Sequence, residues 1–295
     1  MADPATKQSD LTRVIFWMTG ALLSFSTFAI VIRSLAANFS IFEILSVRNA
    51  AGVAVFGLLA LARPKLRTEL SVKKMPLHLA RNLVHWGAQF SWSTALLYLP
   101  LATVFALEFT APIWTALLAY FFLGERMTVH RLIATFLGFL GVLVIVRPGL
   151  QTFQPAALLV LAAALGFAIT FVFTKKLTAT ETTFAILFWM NFIQLPLNLL
   201  GSDLTFPLRM VWSDAVPMLA IAITGIASHF CLTNAFRYGD AILVVPIDFL
   251  RIPLIAVVGY FFYNEGFDLA VLAGAALIIV GIVWNMLQER KPKNV

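Results

Sequence analysis

From Leu101 to Leu123 the chain reads LATVFALEFTAPIWTALLAYFFL, an apolar run with one charged residue, Glu108. A helix rising about 1.5 Å per residue needs about 20 apolar residues to cross the hydrocarbon of a bilayer, so this run is long enough to span. Cutting at charges, prolines and turn residues yields nine more runs of this kind. The ten lie near residues 12–35, 41–62, 77–99, 102–123, 129–147, 155–177, 182–200, 215–236, 241–263 and 268–287. Only 63–75 and 201–214 are connections of any size, which leaves no room for a soluble domain. The expected fold class is therefore an all-α polytopic membrane protein with ten transmembrane helices.

Composition agrees. The chain is 61% hydrophobic and 12% charged, against about 45–50% and about 25% in soluble domains. A soluble fold of this length would expose large apolar patches. In a soluble chain the formal charge of +7 would point to nucleic acid; here the placement of charge carries the information, and no nucleic-acid partner is expected. One cysteine, Cys231, excludes an intramolecular disulfide and a cysteine-cluster metal site. The first apolar stretch is too long for a signal-peptide core and reads as a retained span.

Basic residues flanking the spans set the orientation. With the N-terminus inside, fifteen of the twenty-one Lys and Arg fall on inner flanks, among them Arg13, Lys73, Lys74, Arg126, Arg131, Lys175, Lys176 and Arg237. The outer loops hold Arg33, Arg147 and Arg209, and Arg48, Arg81 and Arg251 fall within spans. Both termini are expected in the cytoplasm, with the chain in the inner (cytoplasmic) membrane of the cell.

The stretch EFTAPIWTALLAYFFLGE (108–125) has a cousin 140 residues on, DFLRIPLIAVVGYFFYNE (248–265). The offset also pairs Ala95 with Ala235, Tyr98 with Tyr238, Phe109 with Phe249 and Gly141 with Gly281. A weaker echo, offset by 142, relates SFSTFAIVIRSLA (24–36) to GFAITFVFTKKLT (166–178). Each half thus holds five spans, and an odd number forces the second copy to enter the membrane inverted. The loop after span 4 carries Arg126 and Arg131, whereas its mate NEGFD carries no Lys or Arg, as expected of loops on opposite sides. Inverted repeats recur in secondary transporters, with the substrate near the midplane between the halves.

The run PLATVFALEFTAPIWTALLAYFFLGERMTVHRLIATFLGFLGVLVI (100–145) resembles the EamA repeat of the drug/metabolite transporter superfamily. It shares the proline in span 4, the small-residue and aromatic run, the terminal Gly-Glu and the glycine-bearing fifth span. Arg48 stands where that family commonly has an arginine in span 2. Pro253 is shifted one residue from the match of Pro112, and Asn264 replaces the glycine before Glu265. The resemblance covers nearly the whole chain and implies two five-helix repeats, 12–148 and 155–288, the second inverted. It implies transport of small molecules and leaves the substrate open, because the superfamily carries amino acids, nucleotide-like compounds, vitamins, metallophores and drugs.

Candidate site residues are the polar groups placed where lipid cannot solvate them. Glu108 and Asp248 occupy matched positions inside spans 4 and 9, and a carboxylate there costs at least about 2.5 kcal/mol unless it meets water or a partner. They are candidates for binding a substrate amine or carrying a proton; the alternative is a structural salt bridge, with Arg251 three residues beyond Asp248 as its natural partner. Arg48 and Asn49 in span 2 face the same choice, Arg48 holding either a substrate carboxylate or one of Glu43, Glu108 and Asp248. On span 3, Arg81, His85, Gln89 and Ser93 recur every four residues and form one polar stripe, with Arg81 near enough to the surface to snorkel. Span 8 answers with Ser228, His229, Thr233 and Asn234, and His229 and Thr233 are the repeat mates of Gln89 and Ser93. Such stripes turn either to helix neighbours or to a lumen. Asn191 and Gln194 in span 7 are further candidates, and Trp86 is the ring expected to stack on substrate. Glu125 and Glu265 read as solvated or loop-fixing carboxylates at span ends. Pro112, Pro246 and Pro253 are expected to kink spans 4 and 9. Ala134, Gly138, Gly141, Ala270, Gly274 and Gly281 suit close packing of scaffold helices.

The expected function is secondary transport of a small polar organic metabolite, amino-acid-like or zwitterionic, by alternating access, with export as the expected direction and protons as the candidate coupling ion. Uptake of a vitamin or nucleoside-like cofactor is the alternative. The partners are this substrate and the bilayer, and the protein works as a monomer or homodimer. An intramembrane enzyme is disfavoured, because H-E-x-x-H and G-x-S-x-G are missing and the four histidines lack paired ligand spacing; no metal and no cofactor is expected. A channel would show charge rings along a continuous pore rather than an inverted repeat.

Overall fold

The computed structural model describes residues 9–99, 101–146, 154–254 and 269–290. The motif Tyr260-Phe261-Phe262, Asn264 and Glu265 lie outside the described residues, as do Arg147, Lys291 and Lys293. Every regular element described is helical. In chain order the α-helices are α1 (Leu11–Leu35), α2 (Ile41–Ala62), the single turn α3 (Pro64–Arg67), α4 (Met75–Tyr98), α5 (Leu101–Glu108), α6 (Ala111–Leu123), α7 (Val129–Val146), α8 (Ala156–Thr178), α9 (Thr183–Leu200), α10 (Ala215–Tyr238), α11 (Ala241–Val244) and α12 (Leu269–Arg290), with short 3₁₀ turns at Phe206–Arg209 and Trp212–Asp214 before α10. A 3₁₀ segment, Val245–Leu250, continues α11.

Local chemistry explains the boundaries. Ser40 and Glu43 form a reciprocal capping box at the start of α2, and the Asp10 carboxylate and Thr182 hydroxyl accept backbone N–H groups at α1 and α9. Gly124, at φ 66°, ends α6 in the left-handed region. Five stretches among the described residues are helical, long and apolar enough to cross a bilayer: Leu11–Leu35, Ile41–Ala62, Ala156–Thr178, Thr183–Leu200 and Trp212–Tyr238. α4 has the length, but its buried polar face of Arg81, Asn82, His85, Gln89 and Ser93 lowers its apolarity. α5 and α6 are each too short because one apolar run is broken between Glu108 and Ala111.

The helices pack in partnered pairs, α1 on α10, α7 on α12, α4 on α8 and α2 on α9. Small residues permit this. A Cβ on Gly141 would stand 2.6 Å from the Gly274 carbonyl, and one on Gly52 would stand 2.2 Å from the Asn191 amide carbon. The Asp10 N–H donates to the Tyr238 carbonyl at 2.8 Å, which sets the start of α1 beside the end of α10. At that same end of the bundle Lys175 donates to the carbonyls of Phe236 and Gly239, and Arg131 pairs with Asp240 at 2.9 Å. Arg237 donates to Thr183 and to the Thr178 and Glu181 carbonyls there. Lys175 and Arg237 thereby donate to carbonyls at and just beyond the ends of α8 and α10. Arg209 pairs with Glu43 where α2 begins.

Candidate functional site

The two apolar runs that carry Glu108 and Asp248 both break among the described residues. Glu108 is the last residue of α5; Phe109 and Thr110 turn the chain, and Pro112 sits in the first turn of α6, where it needs no N–H partner. Asp248 lies in the 3₁₀ segment that starts with Val245-Pro246, so its chain is also not α-helical there. Broken backbone inside a bundle is tolerated where protein or a cavity surrounds it.

Across these breaks the acids converge on one guanidinium. Arg251 Nη2 donates to Glu108 Oε1 at 2.6 Å and to Asp248 Oδ2 at 2.7 Å. The other Glu108 oxygen accepts from the Trp92 indole N–H at 2.7 Å. Arg251 also lies over the rings of Phe25, Phe105 and Phe109, at 5.2 to 5.9 Å from their centroids. Asp248 Oδ1 and Arg251 Nε are buried without a hydrogen-bond partner. A guanidinium with carboxylates and ring faces can exchange partners with an incoming ammonium or carboxylate.

The triad opens on a cavity between α1, α4, α5, α8, α10 and the 3₁₀ segment. Its walls are Phe25, Phe28, Trp92, Phe167 and Phe171 on the aromatic side, with His85, Gln89, His229, Glu108, Asp248 and Arg251 as its polar groups. The His85 and His229 rings meet edge to face with centroids 4.8 Å apart. The volume open to the centres of water molecules is about 50 Å³, far below the roughly 300–1,000 Å³ of a loaded metabolite site. As it stands, the cavity is too small to hold a metabolite.

Beyond His85 and Gln89 lies a second polar cluster. Arg48 donates to Asn49 at 3.1 Å, to Gln89 at 3.5 Å and to Gln194 at 3.2 Å, and packs under the Phe28 ring. Arg81 donates to Asn82 at 2.7 Å and to Thr174 at 3.2 Å. Gln194 links the two, donating to Asn82 Oδ1 at 3.2 Å and meeting His85 Nδ1. Arg81, only 1% exposed, does not snorkel to the surface. Arg48 takes none of the three acids considered as partners: Glu43 bonds Ser40 and Arg209, and Glu108 and Asp248 hold Arg251.

Glu108, Asp248, Arg251, His85, Gln89 and His229 thus meet around one cavity, and Arg48 and Asn49 stand behind its wall. Asn191 donates to its own helix at Leu187 and packs on Gly52, away from the cavity. Trp86 donates to Asn198 at 2.8 Å and stacks on Phe90, so it does not line the cavity. Glu125 is buried, and its two oxygens accept the N–H groups of Ala241 and Ile242 at 2.8 and 3.0 Å, capping α11 rather than facing water. The wall rings Phe25, Phe28, Phe167 and Phe171 are not legible from polarity. The repeat with offset 142 does pair Phe25 with Phe167, a signal that singles out two of them.

The EamA-like transporter family matches the chain twice, over residues 12–147 and 154–287. An S-adenosylmethionine uptake transporter of Rickettsia bellii is 26% identical over 225 residues, covering 76% of this chain and 77% of its own. A riboflavin transporter of Brucella anthropi is 32% identical over 221 residues, covering 72% of this chain and 77% of its own. The pseudopaline exporter CntI of Pseudomonas aeruginosa is 26% identical over 269 residues, covering 89% and 92%. One crystal structure shares the fold, with a TM-score of 0.78 at 20% identity over 97% of this chain and 99% of that one. The chain belongs to the EamA-like transporter family.

Proposed function

We propose that the protein is a secondary transporter that carries a small, polar, ring-bearing metabolite across the inner membrane by alternating access. The observation that carries this reading is the shared guanidinium: Glu108 and Asp248, from broken helices at matched positions, close on Arg251 inside a chamber walled by aromatic rings. Discontinuous helices at the junction of repeats are where carriers of this kind bind substrate. The proposed frame is ten spans in two inverted repeats, 12–148 and 155–288, with both termini cytoplasmic. Gathering of Arg13, Arg131, Lys175 and Arg237 at one end of the bundle supports that orientation. Cysteine labelling from either side at Lys176 and Arg209 tests it; labelling of both from one side sinks the topology.

For direction we propose uptake. Relatives named for S-adenosylmethionine uptake and for riboflavin handle ring-bearing cargo, and stacking on Phe25, Phe167 or Trp92 suits a flat heterocycle. Export of a zwitterionic amino-carboxylate is the second reading, favoured by the long match to the pseudopaline exporter. Proteoliposomes assayed for flux in both directions, with and without a pH gradient, decide between them. The panel is flavins, S-adenosyl compounds and amino-carboxylates. Saturable flux of one class, lost in Glu108→Gln and Asp248→Asn, is expected. Flux no greater than in empty liposomes, or wild-type rates in both variants, overturns the proposal.

A further inference from the structure

The cluster behind the cavity wall holds two arginines and no acid. Among the described residues neither Arg48 nor Arg81 pairs with a carboxylate, although both are only 1% exposed. Their acceptors are neutral amide and hydroxyl oxygens, each weaker than a carboxylate as a partner for a guanidinium. Donors are in surplus: the side-chain nitrogens of Asn49 and Asn82 are buried with no acceptor at all. The triad cannot compensate, because Glu108 and Asp248 are committed to Arg251. Buried positive charge without a counter-ion is costly, and an anion bound between these donors would offset that cost. Gln194 occupies the junction, its amide oxygen accepting from Arg48 and its amide nitrogen donating to the Asn82 oxygen that Arg81 also bonds. Gly225 leaves the space in which the Arg48 stem lies, since a Cβ there would stand 2.4 Å from Arg48 Cγ.

We infer that Arg48 and Arg81, with the amide nitrogens of Asn49 and Asn82, form an oxyanion subsite that takes a carboxylate, sulfonate or phosphate group of the cargo. This deepens the transporter reading and rests on it for the source of the anion. Gln194 acts as the stand-in acceptor in the empty carrier, and His85 and His229 separate the subsite from the aromatic chamber. The cargo so described carries a ring at one end and an oxyanion at the other.

The test needs no transport. Purified protein in neutral detergent is titrated with sodium phosphate, sulfate or acetate against chloride at matched ionic strength, and its thermal unfolding midpoint is followed. Saturable stabilisation by an oxyanion is expected, weakened at least tenfold in apparent affinity in Arg48→Gln and in Arg81→Gln and retained in Arg33→Gln, whose site is exposed. Gln194→Glu provides a second readout that does not rely on the arginine variants folding. A tethered carboxylate there is expected to raise the midpoint and abolish the oxyanion response. No saturable response in wild type, an equal response in the arginine variants, or a lowered midpoint in Gln194→Glu each overturns the subsite. Competition by phosphatidylglycerol micelles at the same site assigns it to lipid and overturns the cargo source. Oxyanion binding without flux of any metabolite defeats the transporter reading alone, and flux without oxyanion binding defeats the subsite alone.

Discussion

Glu108 and Arg251 stand 143 residues apart in the chain and meet at 2.6 Å. The same nitrogen holds Asp248 at 2.7 Å, so one positive charge serves two acids. Removing the cation leaves the buried Glu108 and the half-buried Asp248 without their shared partner, and breaking a buried pair from one side costs about 3–5 kcal/mol. Arg251→Gln is expected to lower unfolding stability in detergent by that amount. The triple variant Glu108→Gln/Asp248→Asn/Arg251→Gln is expected to recover most of it, because no unpaired charge remains. Equal losses in the single and triple variants would show that packing, not charge, holds this junction.

Two tryptophans on α4 separate ring chemistry from hydrogen bonding. Trp92 lines the cavity and donates to Glu108, whereas Trp86 donates to Asn198 outside it. Trp92→Phe keeps a ring but leaves Glu108 one donor short, at about 1.5–3 kcal/mol for a bond to a charged group. Initial rates in proteoliposomes are expected to fall at least tenfold for Trp92→Phe and to stay within twofold of wild type for Trp86→Phe. A larger loss in Trp86→Phe would move the substrate ring to the other side of α4.

The contrast between these rings also shows what could be read before any coordinates. The apolar helices, the two copies of the family repeat and the conflict between carboxylates and an apolar run follow from residue type and spacing, which is why Glu108, Asp248, His85, Gln89 and His229 stand out in the sequence. The match of Asp248 to Arg251 is local, three residues along one strand of chain, and equally visible. Glu108 finding Arg251 rather than Arg48 is not, because that choice is made by how α5 and the 3₁₀ segment cross. Polarity marks Trp86 and Trp92 alike; only helix rotation against α1 and α8 decides which enters the cavity. Glu125 looks like a surface acid until the start of α11 is set against it.

Glu125 makes a prediction of its own. It supplies both acceptors for the first N–H groups of α11, a short helix with no side-chain cap of its own. Glu125→Ala is expected to cost about 0.5–2 kcal/mol, the range for loss of a helix cap. Hydrogen exchange at the Ala241 and Ile242 amides should accelerate by about two- to thirtyfold, the factor that cost corresponds to, while exchange in α4 is unchanged. Uniform acceleration across both helices would show that Glu125 holds the whole bundle and not this helix start.

Close helix approach gives the last expectation. A Cβ at Gly141 would meet the Gly274 carbonyl at 2.6 Å and Ile278 Cγ1 at 2.7 Å, and a backbone oxygen cannot swing aside as a side-chain tip can. Gly141→Val therefore has to push α7 from α12, at about 1–3 kcal/mol for overpacking. Gly57 in α2 meets nothing within 4 Å, so Gly57→Ala is expected to change stability by less than about 1 kcal/mol and in the favourable direction, since alanine is the better helix former. Unfolding midpoints of the two variants in one detergent check both. If Gly141→Val unfolds at the wild-type midpoint, α7 and α12 do not pack through Gly141 and Gly274, and the pair is not the rigid scaffold against which α5 and the 3₁₀ segment are placed.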